Sequence, residues 1–277
     1  MSLTATTTLA NGVQMPWLGL GVYKMDGDNE VKEAVASALE IGYRSIDTAS
    51  FYDNEEGVGQ AIKQSTIPRE QLFVTTKVWN SEQGYNETLA AFERSLTKLG
   101  LEYIDLYLIH WPVPGKYKDT WKALEKLYKD GKVRAIGVSN FLEHHLKDLL
   151  KDATVKPMVN QVEFHPQLSS RSLRDYCSQH HIQVEAWSPL GRGRYLDDDT
   201  LQALATKHGK SPAQIMLRWD YQHGVVTIPK STKKHRQEEN AAIFDFQLSD
   251  EDMQQLDGLD IDKRYGRHPD EFDYENS

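Results

Sequence analysis

The fold this sequence predicts is an α/β one, the (β/α)8 TIM barrel, with an N-terminal β-hairpin cover and extra C-terminal helices and loop. Three observations predict it. Strand-like apolar runs alternate with helical periodicity along the chain, which calls for a parallel sheet. Eight such units of about thirty residues fit a chain of 277 residues, a usual length for a closed α/β barrel. Neither glycine-rich stretch carries the phosphate-binding fingerprint of an open, doubly wound sheet: Gly19-Leu20-Gly21 runs into Val22, Tyr23 and Lys24, and Gly57-Val58-Gly59 ends in Ile62. With no linker, low-complexity run or repeat beyond the strand–helix rhythm, the expectation is one domain over 1–277.

The elements follow in order. Residues 6–9 and 13–15 flank Asn11-Gly12, the favoured two-residue hairpin turn, and precede everything periodic. A strand is expected over 17–22, then a helix on which Val31, Ala34, Val35, Ala38 and Leu39 share one face. The next strand delivers Asp47. A tight loop presents Tyr52, and Asn54 stands at the N-cap position of a helix over 55–63. Strands over 72–77, 104–111, 133–138, 157–164, 182–187 and 225–228 alternate with helices marked by Leu89, Phe92, Leu96 and Leu99; by Trp121, Leu124 and Leu127; by Leu146, Leu149 and Leu150; and by Leu173 and Tyr176. After the seventh strand come two helices, 199–208 and 211–223, the second opening with Ser211-Pro212 as cap and first-turn proline. A helix over 237–243 and a last one with Ser249 at its cap and Asp252 three residues on complete the chain.

Composition narrows the function. Lys and Arg number 32 against 41 Asp and Glu, a net charge of −9, which makes nucleic acid a poor partner. Mean hydropathy is −0.61 and no apolar run reaches the length of a membrane helix. The start MSLTATTTLANG lacks the basic and apolar regions of a signal peptide, and Cys177 is the sole cysteine, so the expected setting is a reducing cytoplasm. There are no heptads and no long apolar surface helix, so a monomer is expected.

The polar residues gather at the carboxyl ends of the strands: Asp47, Lys77, His110, Ser139 with Asn140, Gln161, Ser188 and Lys230. In a β/α barrel those ends meet on the face that carries the active site. Taken singly, each admits a plain structural role. Lys77 reads equally as a surface lysine, His110 as a satisfied core histidine, and Trp79 and Trp111 as packing. Together they describe a chemistry. A lysine cation favours phenolate and makes a tyrosine a better acid; a carboxylate holds the lysine; a neutral histidine donates to an oxygen. Carbonyl reduction needs such an acid over the developing alkoxide, and its hydride must come from a nicotinamide. Lys230, Ser231 and Arg236, with Glu239 and Asn240 on the next helix, are candidates for a phosphate site that would select NADPH; the alternative is a solvated basic turn. Trp187 can stack on a nicotinamide, Asn140 and Gln161 can hold its carboxamide, and Trp79 and Trp111 can wall an apolar substrate pocket.

These segments resemble the aldo-keto reductase family. The resemblance rests on Gly42-Tyr43-Arg44-Ser45-Ile46-Asp47-Thr48-Ala49 with Tyr52 and Asn54-Glu55, Thr76-Lys77-Val78-Trp79-Asn80, Leu108-Ile109-His110-Trp111-Pro112, Gly137-Val138-Ser139-Asn140-Phe141, Asn160-Gln161, Ser188-Pro189-Leu190-Gly191 and Ile228-Pro229-Lys230-Ser231. It implies NADPH/NADP+-dependent reduction of aldehydes and ketones by Asp47, Tyr52, Lys77 and His110, without a metal. It also implies cofactor contacts at Val22, Ser139, Asn140, Gln161, Trp187, Ser188, Pro189, Leu190, Lys230, Ser231, Arg236, Glu239 and Asn240, and substrate contacts at Tyr23, Trp79, His110 and Trp111. Trp187, where animal members often have tyrosine, and the short loop 112–116 resemble a bacterial branch of glyoxal, methylglyoxal and diketogluconate reductases. The short loop implies an open pocket and small reactive carbonyls. Two other readings stay open: an NADPH-binding barrel with a regulatory or structural role, and a metal-dependent hydrolase built on Asp47, His110, Glu163 and His165.

Overall fold

The computed structural model describes residues 2–274; Met1 and residues 275–277 of the expected 1–277 domain lie outside them. A hairpin of β1 (Thr6–Thr8) and β2 (Gln14–Pro16) comes first. Eight strands then lie in strict chain order in one parallel sheet: β3 (Leu20–Gly21), β4 (Ser45–Asp47), β5 (Phe73–Val78), β6 (Ile104–Ile109), β7 (Val133–Ser139), β8 (Val159–Glu163), β9 (Gln183–Trp187) and β10 (Val226–Thr227). The sheet closes on itself where Gly19 N donates to Thr227 O at 3.0 Å, Thr227 N to Trp17 O at 3.0 Å and Gly21 N to Pro229 O at 3.3 Å. Closure leaves the barrel without an exposed edge.

Helices α1 (Gly27–Ile41), α2 (Glu55–Gln64), α3 (Tyr85–Leu99), α4 (Tyr117–Lys129), α5 (Glu143–Leu149) and α6 (Arg171–Gln179) each follow one strand. The chain then adds α7 (Asp199–His208), α8 (Pro212–Gln222), α9 (Lys234–Ala241) and α10 (Asp250–Asp257). Strands β5 and β6 are buried along their whole length, as parallel strands between a filled barrel and covering helices must be. The capping signals at Ser211 and Ser249 are both realised: each hydroxyl accepts from the third helical residue, and Gln214 and Asp252 reach back to the cap nitrogen. Among the described residues no helix is long and apolar enough to cross a membrane.

Two local expectations are corrected. The hairpin turn is a three-residue loop, not a two-residue one: Leu9 N donates to Val13 O, Gly12 N to Leu9 O, and Gly12 takes φ 87°, the left-handed position that ends such a loop. Asn54 occupies the N-cap of α2 but does not cap it. Its amide instead donates to Val22 O and accepts from Thr48 Oγ1, tying the first strand to the loop after the second. The hairpin is pinned by Thr7 to Gln183 and by Asn11 to Arg134 O, both near strand starts. It therefore covers the amino-terminal end of the barrel and leaves the opposite face open.

Candidate active site

The open face holds a cleft of about 1090 Å³. At its floor the carboxyl ends of β4 and β5 bring Lys77 Nζ within 2.6 Å of Asp47 Oδ1 and 2.9 Å of Thr48 O. Lys77 Nζ lies 3.5 Å from Tyr52 Oη, the outer limit of a hydrogen bond. Lys77 is fully buried and lies behind the wall; Asp47, Tyr52 and His110 line the cleft. The four polar side chains expected together are together.

Their charge states follow from burial. For Lys77 desolvation pushes toward the neutral amine, but Asp47 and the phenol outweigh it, and the net shift is upward. For Tyr52 burial dominates: the phenol is pushed up to about 12, with Lys77 pulling it back part of the way. The expected activation is therefore only a partial offset, and Tyr52 is fully protonated at neutral pH. His110 is held well below its usual range by burial and by the charge on Lys77, so its ring is neutral. Among the described residues its buried Nδ1 has no hydrogen-bond partner. A neutral imidazole holds one ring proton, and the tautomer with that proton on Nε2 leaves no buried donor unpaired at Nδ1.

Further along, Asn140 and Ser188 sit just past β7 and β9 with φ 63° and 49°, left-handed positions that turn the chain into the cleft. Asn140 accepts from Trp187 Nε1 at 2.8 Å and donates to His110 O and Ser139 Oγ. Ser139 Oγ donates to Gln161 O. The amide nitrogen of Gln161 is spent on Asp47 at 2.7 Å and Glu185 at 2.8 Å, so its oxygen is the end left for a ligand. Trp187, Ser188, Pro189 and Leu190 continue the wall to Lys230 and Arg236. Tyr23, Trp79 and Trp111 line the other end.

Four expected contacts are not brought to the wall. Val22 is fully buried, its N–H bonded to Asp47 O and its carbonyl to Asn54. Ser231 is buried and its hydroxyl closes a turn on Lys233. Glu239 accepts from Ser211 Oγ at the start of α8, and Asn240 is buried behind it. Nor do the four residues of the metal alternative converge: Glu163 and His165 pair with each other and with the C-terminal loop. Among the described residues only His144, His145 and Asp270 bring three ligand atoms together, and none of the four is among them.

Other wall residues were not read from the sequence. Phe51 stacks on Trp79 at 3.7 Å, and Phe272 of the tail packs on Trp111 at 4.5 Å. Lys24, Arg192, Tyr265 and Arg267 also line the cleft. The tail follows no period that would announce it. Glu185 had a signal, a carboxylate inside the apolar run of the seventh strand.

A comparison with family models matches the Aldo/keto reductase family over residues 18–261. The chain belongs to the aldo-keto reductases. It is 64% identical over 271 residues to a glyoxal reductase of Bacillus subtilis, covering 98% of each chain. It is 47% identical over 268 residues to the methylglyoxal reductase DkgA of Salmonella typhimurium, covering 95% of this chain and 96% of that one. Among solved structures, a deep-sea metagenomic aldo-keto reductase is 47% identical with TM-score 0.93, covering 97% and 100% of the two chains. A Bombyx mori aldo-keto reductase in complex with NADP is 38% identical with TM-score 0.90, covering 96% of each.

In this aldo-keto reductase Glu185 makes a pH prediction. Burial, with the charge on Asp47 adding to it, pushes the Glu185 carboxyl up from 4.5 to about 8. A carboxyl raised on folding stabilises the native state fully below its unfolded value and loses that contribution as pH rises through the folded one. Glu185→Gln is therefore expected to gain stability relative to the wild type as pH rises between 4.5 and about 8. Urea unfolding of both proteins near the two ends of that window checks it; a pH-independent difference would count against a neutral Glu185.

Proposed function

We propose that this reductase uses NADPH to reduce small reactive carbonyls, with glyoxal, methylglyoxal and diketo sugars as first candidates. One observation carries the reading: a single cleft joins the Asp47–Lys77–Tyr52 cluster at one end to Lys230 and Arg236 at the other. The residues present fit a pyridine dinucleotide. Trp187 offers an aromatic face, Ser139, Asn140 and Gln161 offer polar atoms, and the two basic side chains suit a phosphate. Ser231, Glu239 and Asn240 act from behind, fixing the turn and helix that present Lys230 and Arg236.

A nicotinamide bound there supplies the hydride. Tyr52 gives its proton to the carbonyl oxygen as negative charge develops on it. Lys77 steadies the resulting phenolate, and Asp47 keeps Lys77 charged and in place. Neutral His110 donates to the same oxygen and orients it. Phe51, Trp79, Trp111 and Phe272 form an aromatic vestibule for a small substrate. We read the enzyme as a one-domain monomer of a reducing cytoplasm; the free, buried Cys177, the sole cysteine, supports the reducing compartment.

The test is a carbonyl panel with NADPH and NADH side by side. NADPH is expected to lead by about tenfold or more in kcat/KM, and Arg236→Ala to raise KM for NADPH about tenfold to a hundredfold while sparing NADH. Tight NADPH binding with no turnover on any carbonyl would favour the regulatory barrel instead.

A further inference from the structure

We propose that Glu163 is a positioning residue whose buried carboxylate latches the Tyr265–Gly266 backbone against Trp187. Glu163 ends β8, and its side chain is fully buried. Tyr265 N donates to its Oε1 at 2.7 Å, and Gly266 N donates to Oε1 at 3.1 Å and Oε2 at 3.0 Å. His165 Nε2 lies 3.4 Å away and Arg264 Nη1 3.7 Å. Burial alone would raise the carboxyl, but the bonds from His165, Gly266 and Tyr265 outweigh it and the net shift is downward. The group is an anion at neutral pH, and two backbone N–H groups of the tail are its ligands.

What the latch holds is the ring at the centre of the cleft. A Cβ built on Gly266 would come within 2.2 Å of Trp187 Cη2, so the loop backbone lies directly against the indole. Asn140 takes the Nε1–H of the same ring. Trp187 is thus fixed by an amide at its pyrrole edge and by the tail at its benzo edge. The loop is braced by Tyr265 Oη on Gln167 at 2.6 Å and by Lys263 N on Gln167 O at 2.8 Å. It continues into Arg267, which lies over Phe272, the tail residue against Trp111. One carboxylate therefore sets the aromatic face offered to the cofactor and the tail side of the substrate pocket. The consequence for the cofactor rests on the function proposed above; the latch itself does not.

Glu163→Gln keeps the shape but removes the charge that both N–H groups face, and with its oxygen at the Oε1 position its NH2 replaces the Oε2 that accepts from Gly266 N. In the cofactor-free protein, hydrogen exchange at Tyr265 and Gly266 is expected to rise about tenfold to a hundredfold, with a changed near-ultraviolet tryptophan signal. In the loaded enzyme KM for NADPH is expected to rise by a similar factor while kcat changes less. Gly266→Ala, which keeps the Glu163 charge but places a Cβ 2.2 Å from Trp187 Cη2 and 3.0 Å from Glu163 Oε2, is the second variant and covers a folding failure of the first. It is expected to raise KM for NADPH in the same way. Unchanged exchange at the two amides in Glu163→Gln would overturn the latch. Raised exchange with unchanged NADPH affinity in both variants would overturn the positioning role. If the wild type itself made no use of NADPH, the function would fail while the exchange arm still decided the latch.

Discussion

Tyr52→Phe is expected to lower kcat for carbonyl reduction by about 10²- to 10⁴-fold, the usual contribution of a positioned general acid, and to leave NADPH affinity within about twofold. The substitution removes one oxygen and little else. The ring keeps its contacts with Tyr23 at 4.9 Å and His110 at 5.6 Å between centroids. Lys77 keeps Asp47 Oδ1 and Thr48 O, so its charge remains compensated without the phenol. A loss of turnover in this variant is therefore a loss of the proton donor rather than of the site. The pH dependence follows. With Tyr52 pushed up to about 12, the donor stays protonated through the neutral range, and kcat for reduction is expected to show no limb from Tyr52 until strongly alkaline pH. Steady-state rates with glyoxal, with NADPH binding measured separately, check both statements. Near wild-type turnover would remove Tyr52 from the mechanism.

The barrel was legible because its signals are periodic and redundant. Strands buried on both faces read as apolar runs, helices show one apolar stripe, and an error of a residue or two at each end changes nothing. The floor of the site was legible for a different reason. Asp47, Lys77 and His110 stand at the ends of apolar strands, where a polar residue needs either a partner or a task. What stayed hidden depends on contacts that have no period. Asn54 has the right chemistry and position to cap α2, yet it bonds across the chain to Val22 and Thr48; a cap signal describes only local competition for the amide. Val22, Ser231 and Glu239 have neighbours on the wall but are themselves spent on internal bonds, and Asn240 is buried. Phe272 and Gly266 reach the cleft only because the tail folds back, and nothing between Leu259 and Asp273 repeats. The raised phenol of Tyr52 could not be read at all, since the balance between Lys77 and burial is set by depth.

Lys77→Met is expected to damage both stability and turnover, and a second substitution separates the two. The lysine is completely buried and forms a 2.6 Å ion pair with a carboxylate whose side chain is only 4% exposed. Removing one partner of a buried pair strands the other, at a cost of about 3–5 kcal/mol. Among the described residues Gln161 Nε2 alone would then remain as a side-chain donor to Asp47, and it is shared with Glu185. Asp47→Asn added to Lys77→Met removes the stranded charge, so the double variant is expected to recover much of the lost stability; urea unfolding of the wild type, both single variants and the double gives the coupling directly. Turnover should not recover. Without the cation, the one influence that pulls Tyr52 down is gone, the phenolate left by proton transfer is unsupported, and kcat is expected to stay at least about a hundredfold below wild type. A double variant restored in stability and in rate would mean that Lys77 serves only to neutralise Asp47, and the proton transfer would have to be explained without it.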